Sequence, residues 1–187
     1  MSMSPLPRLE FHELPPSLAA KLEPRVQRLG YLGEFFRCAA HQPQALEAFI
    51  DFTEAAKRDL PKRLVEVVAL TAARWMDNAY ELNQHERLSV RLGFGRDWVA
   101  EVIALRPSEA KLMSREDCEV QSLVLTVLES RGKAAGPLFE QSVRSLGAAN
   151  AIAVMMVIAR YVAHAMIVNT LALAPPVPSI FEDGFNG

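Results

Sequence analysis

Between Leu64 and Phe94 an apolar helical pattern carries five groups able to do chemistry: Glu66, Asp77, Asn78, Glu81 and His85. A polar group taken out of water is costly unless it finds a partner, so a cluster of this density has to be internally paired. Glu81 and His85 stand four residues apart, the spacing at which side chains on one helix meet. Counting about 100° per residue from Glu66, Glu81 falls at about 60°, His85 at about 100° and Asn78 at about 120°, all within roughly a third of the circumference. A break at Asp77 changes the angle of Glu66 and leaves the other three together. A carboxylate beside an imidazole favours the protonated ring and fixes its tautomer, as a general acid near neutral pH requires. The same spacing describes an ordinary i,i+4 ion pair on a solvated helix face, and spacing alone leaves both readings open.

The elements that must hold these groups read as helices throughout, with no alternating strand pattern. The fold class is all-α. Residues 1–16 contain four prolines and read as an extended arm; residues 17–173 form the helical body; residues 174–187, opening on Pro175 and Pro176, form a second arm. Within the body, a helix from Ser17 to Gly30 is expected to be interrupted near Pro24, and a short one runs from Leu32 to His41. Pro43 and Pro61 each stand at a helix start, where a missing N–H costs nothing. Asp77 is a good N-cap for a helix reaching Leu92, and Gly93 supplies the stop. A short helix spans Asp97 to Leu105. Ser114 with Asp117 is a capping pair that opens a helix to about Arg131. Pro137 starts the next, and after Gly147 a long apolar helix follows. Both arms carry large apolar residues, which suits either contact with a neighbouring subunit or packing on the chain's own surface.

Composition narrows the function. Lys and Arg total 20 against 22 Asp and Glu, a net charge of −2 with no basic run, so nucleic-acid binding lacks an electrostatic footing. Cys38 and Cys118 are far apart and form neither a C-x-x-C pair nor a metal-binding spacing, which fits a reducing cytoplasmic setting. The first eighteen residues show no apolar signal-peptide core. The stretch from Ala148 to Leu173 is apolar enough to raise a membrane span, but Arg160 and His164 interrupt it midway, and a buried core or interface helix is expected instead. There is no H-E-x-x-H, no di-iron Glu-x-x-His pair and no glycine-rich phosphate loop, so neither a metal nor a nucleotide cofactor is expected.

The pattern E-x11-N-x2-E-x3-H, made by Glu66, Asn78, Glu81 and His85, resembles the signature of the carboxymuconolactone decarboxylase and AhpD-like family. In the peroxidase branch of that family the pattern is E-x11-C-x2-C-x3-H. The surrounding words are similar as well: AHQPQALEAF (Ala40–Phe49), LPKRLVEVVAL (Leu60–Leu70), YELNQH (Tyr80–His85) and RYVAHAMIVNTLAL (Arg160–Leu173). The resemblance covers most of the chain from Leu32 to Leu173 and implies an AhpD-like helical bundle as one domain over 1–187. It also implies a homo-oligomer, a dimer or a trimer of dimers.

Asn78 and Glu81 occupy the two cysteine positions of the peroxidase branch. Thiol peroxidase chemistry needs a nucleophilic and a resolving thiol, and neither residue type can serve. The decarboxylase branch keeps a Glu-x-x-x-His pair, which Glu81 and His85 match. The resemblance therefore implies a cofactor-free lyase acting by acid–base chemistry on a small carboxylated or carbonyl compound. In that reading His85 is the acid, Glu81 orients it, Glu66 is an alternative proton carrier and Asn78 donates to an enolate oxygen. Arg160, Tyr161 and His164 share a face of the long helix; Arg160 suits a carboxylate clamp, with Tyr161 beside it, or an ion pair to a neighbouring helix. Trp75, Phe94 and Trp98 are expected in the core, with a pocket wall as the other use. His41 is expected to cap helix-end carbonyls. The second reading is an AhpD-like peroxidase using Cys38 or Cys118, which lie outside the motif; a non-catalytic oligomeric binding protein is the third.

Overall fold

The structure, a computed structural model, describes residues 6–182 and 185. Among the described residues the chain forms nine α-helices, two single 3-10 turns and no strand. The helices are α1 (Pro16–Leu29), α2 (Glu34–Ala39), α3 (Pro43–Lys57), α4 (Lys62–Trp75), α5 (Ala79–Arg91), α6 (Arg96–Ile103), α7 (Arg115–Ser130), α8 (Gly136–Leu146) and α9 (Ala148–Thr170).

Helix α4 is the axis of the fold. Every residue from Leu64 to Ala73 is buried, and α5, α6, α7 and α9 all pack against it. A helix that is apolar all round belongs inside its neighbours, and the single acid in this run, Glu66, must then find its partners internally. The main core joins α4, α6, α7 and α9. A second, smaller core joins the N-terminal arm, α1, α2 and α3 to Tyr80 and Val168.

Local signals explain most boundaries. Ser114 and Asp117 close a reciprocal cap on α7, Asp117 N–H donating to Ser114 Oγ at 3.1 Å and Ser114 N–H to Asp117 Oδ2 at 2.8 Å. Pro43 opens α3 as its first residue, whereas Pro61 stands one residue earlier, as the N-cap of α4. Helix α1 runs through Pro24 without the expected interruption. Proline there removes one backbone bond, but Leu18 and Leu22 are buried, and the Lys21–Asp51 and Arg25–Glu54 pairs tie α1 to α3 on either side of it. Trp98 is core, its indole N–H reaching Asp117 Oδ2 at 3.3 Å, while Trp75 is exposed.

The α4–α5 junction departs from the sequence reading in a way that matters. Asp77 is not the cap; it takes a left-handed backbone with φ 50°, and Asn78 caps α5 by accepting from Glu81 N–H at 3.2 Å. Asparagine and aspartate tolerate that region better than most residues. The chain reverses here, so that His85 and Ser89 of α5 both reach Glu66 of α4. On one straight helix Glu66 and His85 would lie ~28 Å apart. The shared face inferred for an unbroken helix is instead a contact across two helices.

Both arms pack on their own chain. Leu9 N–H donates to Arg37 O at 3.1 Å, and Arg8 pairs with Glu34 at 2.9 Å. His41 Nε2 lies 2.9 Å from Pro7 O, so its ring meets the arm and not a helix end. At the other end Asn83 donates to Val177 O at 2.9 Å, and the buried Glu86 carboxylate accepts from Ser179 Oγ at 2.6 Å and Ile180 N–H at 3.0 Å. Residues 1–5 of the first arm, and 183, 184, 186 and 187 of the second, lie outside the described residues.

Candidate active site

Four helices supply one buried polar cluster. From α4 comes Glu66, from α5 Glu81, His85 and Ser89, from α9 Arg160, Tyr161 and His164, and from α3 Thr53 and Lys57. His85 is at the centre. Its Nδ1 lies 2.8 Å from Glu66 Oε2, and its Nε2 lies 3.0 Å from the Tyr161 hydroxyl and 3.4 Å from Glu81 Oε2. Glu66 Oε2 also accepts from Ser89 Oγ at 3.2 Å, which fixes the carboxylate behind the ring. Arg160 Nη1 donates to Glu81 Oε1 at 2.8 Å, and Thr53 Oγ1 takes a second, longer bond from Arg160 Nε at 3.4 Å.

The charges follow from these contacts. Burial alone would lower the His85 imidazolium, but Glu66 and then Glu81 hold it up, to about 9. His85 is therefore protonated at neutral pH. Burial would raise the Glu81 carboxyl; His164, Arg160 and His85 hold it well below the usual carboxylate range. His164 goes the other way: burial, only partly offset by Glu81, lowers it to about 4, so its ring is neutral. The Tyr161 phenol is pushed well up by burial and stays protonated.

The cluster opens on a cavity of about 660 Å³. Glu81, His85, Arg160 and His164 contribute to its wall; Glu66, Asn78 and Tyr161 do not. Glu66 and Tyr161 thus stand behind the ring, holding it from either nitrogen. Asn78, expected to reach an enolate oxygen, is 1% exposed and spends its Oδ1 on the α5 cap, while its buried Nδ2 has no partner among the described residues. Arg160 makes the expected ion pair to another helix, through Glu81, and also faces the cavity. Trp98 and Phe94 lie together beside Arg63 on a separate depression and do not wall this one. Among the described residues no group of three or more His, Cys, Asp and Glu side chains is placed to hold a metal.

Lys57 escaped the sequence reading, although a signal for it exists. Leu46, Ile50, Thr53 and Lys57 follow the 4–3–4 spacing of one helix face, and the first three are buried. A lysine continuing that face must point into the same space. Buried Glu86 was missed as well, because its partners, Ser179 and Ile180, lie more than ninety residues along the chain.

Two comparisons bear on what this arrangement is. A crystal structure of an alkylhydroperoxidase AhpD core, an uncharacterized peroxidase-related protein from Ralstonia eutropha JMP134, superposes with a TM-score of 0.71 at 18% identity, covering 94% of this chain and 93% of that one. The fold is that of the AhpD core. Residues 43–108, from the start of α3 to just beyond α6, match the profile of the carboxymuconolactone decarboxylase family. No curated protein matches it by sequence.

Proposed function

We propose that the protein is a lyase-type enzyme that moves a proton during decarboxylation of a small carboxylated compound, using no cofactor. The observation that carries this is an imidazolium, His85, held between Glu66 and Glu81 on the wall of a cavity. The wall is rich in cations: Arg25, Arg28, Lys57, Arg87, Arg91 and Arg160 against Glu54 and Glu81. The chain as a whole carries a net charge of −2, so this concentration is local and favours an anionic ligand.

Loss of CO2 leaves an electron pair that must be delocalised onto an oxygen and then quenched at carbon. The cations nearest the cluster, Arg160 and Lys57, stabilise the developing enolate, and His85 delivers the proton from Nε2. Glu66 keeps the ring charged and oriented through Nδ1, so it acts as a positioning residue. The neutral phenol of Tyr161 steadies Nε2 from behind the cavity wall.

Thiol peroxidase chemistry is disfavoured by the same geometry. Neither Cys38 nor Cys118 lines the cavity, and burial raises both thiols, which lowers their thiolate fraction. Alkylating both cysteines is expected to leave turnover unchanged.

The test is release of CO2 from a panel of small carboxylated lactones and oxo acids. His85→Gln, which keeps a hydrogen-bonding side chain, is expected to lower kcat by about 10²–10⁴-fold on the best substrate. Turnover that survives His85→Gln, or that vanishes on cysteine alkylation, would overturn the assignment.

A further inference from the structure

Lys57 ends α3, on the face that Leu46, Ile50 and Thr53 bury. Its Nζ stands 4.9 Å from the centroid of the Tyr161 ring, the ring whose hydroxyl meets His85. It is the lysine on the cavity wall, beside Glu81, His85 and Arg160. Every carboxylate near it is already engaged. Glu54 pairs with Arg25, Glu81 with Arg160 and His85, and Glu66 with His85 and Ser89. Among the described residues the Lys57 amine has no hydrogen-bond or ion-pair partner.

The charged groups facing it are Arg160 from α9, Glu81 from α5, Glu66 from α4 and Glu54 from its own helix. Burial first, then Arg160, lowers the ammonium to about 8 despite the three carboxylates. At pH 8 such an amine has a ~100-fold larger neutral fraction than an ordinary lysine. Desolvation next to a second cation is one of the ways in which lysines become nucleophiles.

We propose that Lys57 is a catalytic amine that condenses with the ketone of a small 3-oxo acid in this cavity, forming an imine beside His85. This rests on the proton-transfer reading above and supplies its electron sink. Neutral Lys57 attacks the carbonyl carbon; the carbonyl oxygen leaves as water, taking two protons in all, and a protonated imine remains. The carboxylate one carbon removed then breaks its C–C bond and departs as CO2. The bonding pair enters the iminium and yields a neutral enamine. His85 donates its Nε2 proton to the enamine carbon, regenerating the iminium. Water hydrolyses that to the ketone and free Lys57, and solvent returns one proton to His85. The net change is one proton consumed and one CO2 released. A 2-oxo acid would not serve, because its departing electron pair does not reach the imine nitrogen by the same conjugation.

The experiment incubates the full chain with acetoacetate at pH 8, reduces with sodium borohydride and maps the adduct by peptide mass spectrometry. The expected result is a reduced adduct on Lys57, mostly without the carboxyl group, and far less on Lys21, Lys62, Lys111 and Lys133. Lys57→Arg, which keeps the charge, is expected to abolish both the adduct and CO2 release. A trapping yield on the unaltered chain that rises through a midpoint of about 8 gives the same answer if the variant fails to fold. Absence of an adduct at Lys57, or labelling spread evenly over the five lysines, overturns the proposal. CO2 release that needs His85 but survives Lys57→Arg overturns it while leaving the proton-transfer reading intact. A Lys57 adduct with no His85-dependent release does the reverse.

Discussion

His85 and His164 lie on opposite sides of Glu81, and their proton affinities are driven in opposite directions. His85 is raised to about 9 and His164 lowered to about 4, both from an ordinary 6.5. For a group raised on folding, the stability it contributes is complete below the unfolded value and lost as pH rises through the folded one. His85 therefore contributes up to about pH 6.5 and ceases to do so by about 9, an effect of roughly 3 kcal/mol. His164 is complete above 6.5 and lost as pH falls towards 4, and the depressed carboxyl of Glu81 adds to the same acid limb. Stability should peak near pH 6.5, and urea melts across pH 4–9 would show it. His85→Gln is expected to flatten the alkaline limb alone and His164→Gln to reduce the acid one. The Arg160–Glu81 pair belongs to this scale too. Arg160→Met leaves the buried Glu81 carboxylate only one charged partner, His85, in a longer contact, and should cost up to about 3–5 kcal/mol, much of which the double variant with Glu81→Gln recovers. A double-variant loss equal to the sum of the two single-variant losses would show that the pair is not coupled.

Among the elements, the turn between α4 and α5 decides whether the cluster exists. Asn78 caps α5 and sets the direction in which Glu81 and His85 leave the turn. Asn78→Ala should cost about 1 kcal/mol through the lost cap, visible as a shift in denaturation midpoint with no change in slope. Asn78→Asp keeps the accepting oxygen and should restore most of it; failure to do so would mean the amide nitrogen matters more than the cap. Much of this region was legible. The capping pair at Ser114, the prolines that open helices, the i,i+4 contact of Glu81 and His85 and the all-α pattern are local and survive folding unchanged. The reversal was not legible, since Asp77 and Asn78 are both good caps and only the tertiary contacts of α4 choose between them. Pro24 is the complementary case: local chemistry argues for a break, and packing of α1 on α3 overrides it. Lys57, Thr53 and the arm ligands of Glu86 depend on contacts between distant segments, which periodicity within one helix does not report.

For the molecule as a whole, α9 has two faces of different use. Arg160, Tyr161 and His164 turn inward to the cluster, which is why an apolar helix long enough to cross a membrane carries a charge at its middle. The outward face presents Ile152, Met156, Ala159, Ala163, Met166 and Ile167 in one exposed stripe. Contiguous exposed apolar surface of this kind commonly marks a protein interface, and two alanines four apart leave room for a second helix to approach. We therefore expect the chain to self-associate through α9. Light scattering at micromolar concentration should report an oligomer, and Met156→Lys with Ile152→Lys should reduce it to a monomer. An unchanged mass in that variant would place the interface elsewhere, and a monomeric parent chain would dispose of the idea.

The second arm runs from α9 back across α5, held by Asn83, Glu86 and Arg87, and brings Val177 and Phe185 to the cavity wall. That geometry has a bearing on handling the protein. An affinity tag joined after residue 187 begins two residues along the chain from Phe185, a residue of the cavity wall. Substrate screens should use chain tagged at the other end, or with the tag removed, because a failure with a C-terminal tag would measure the tag.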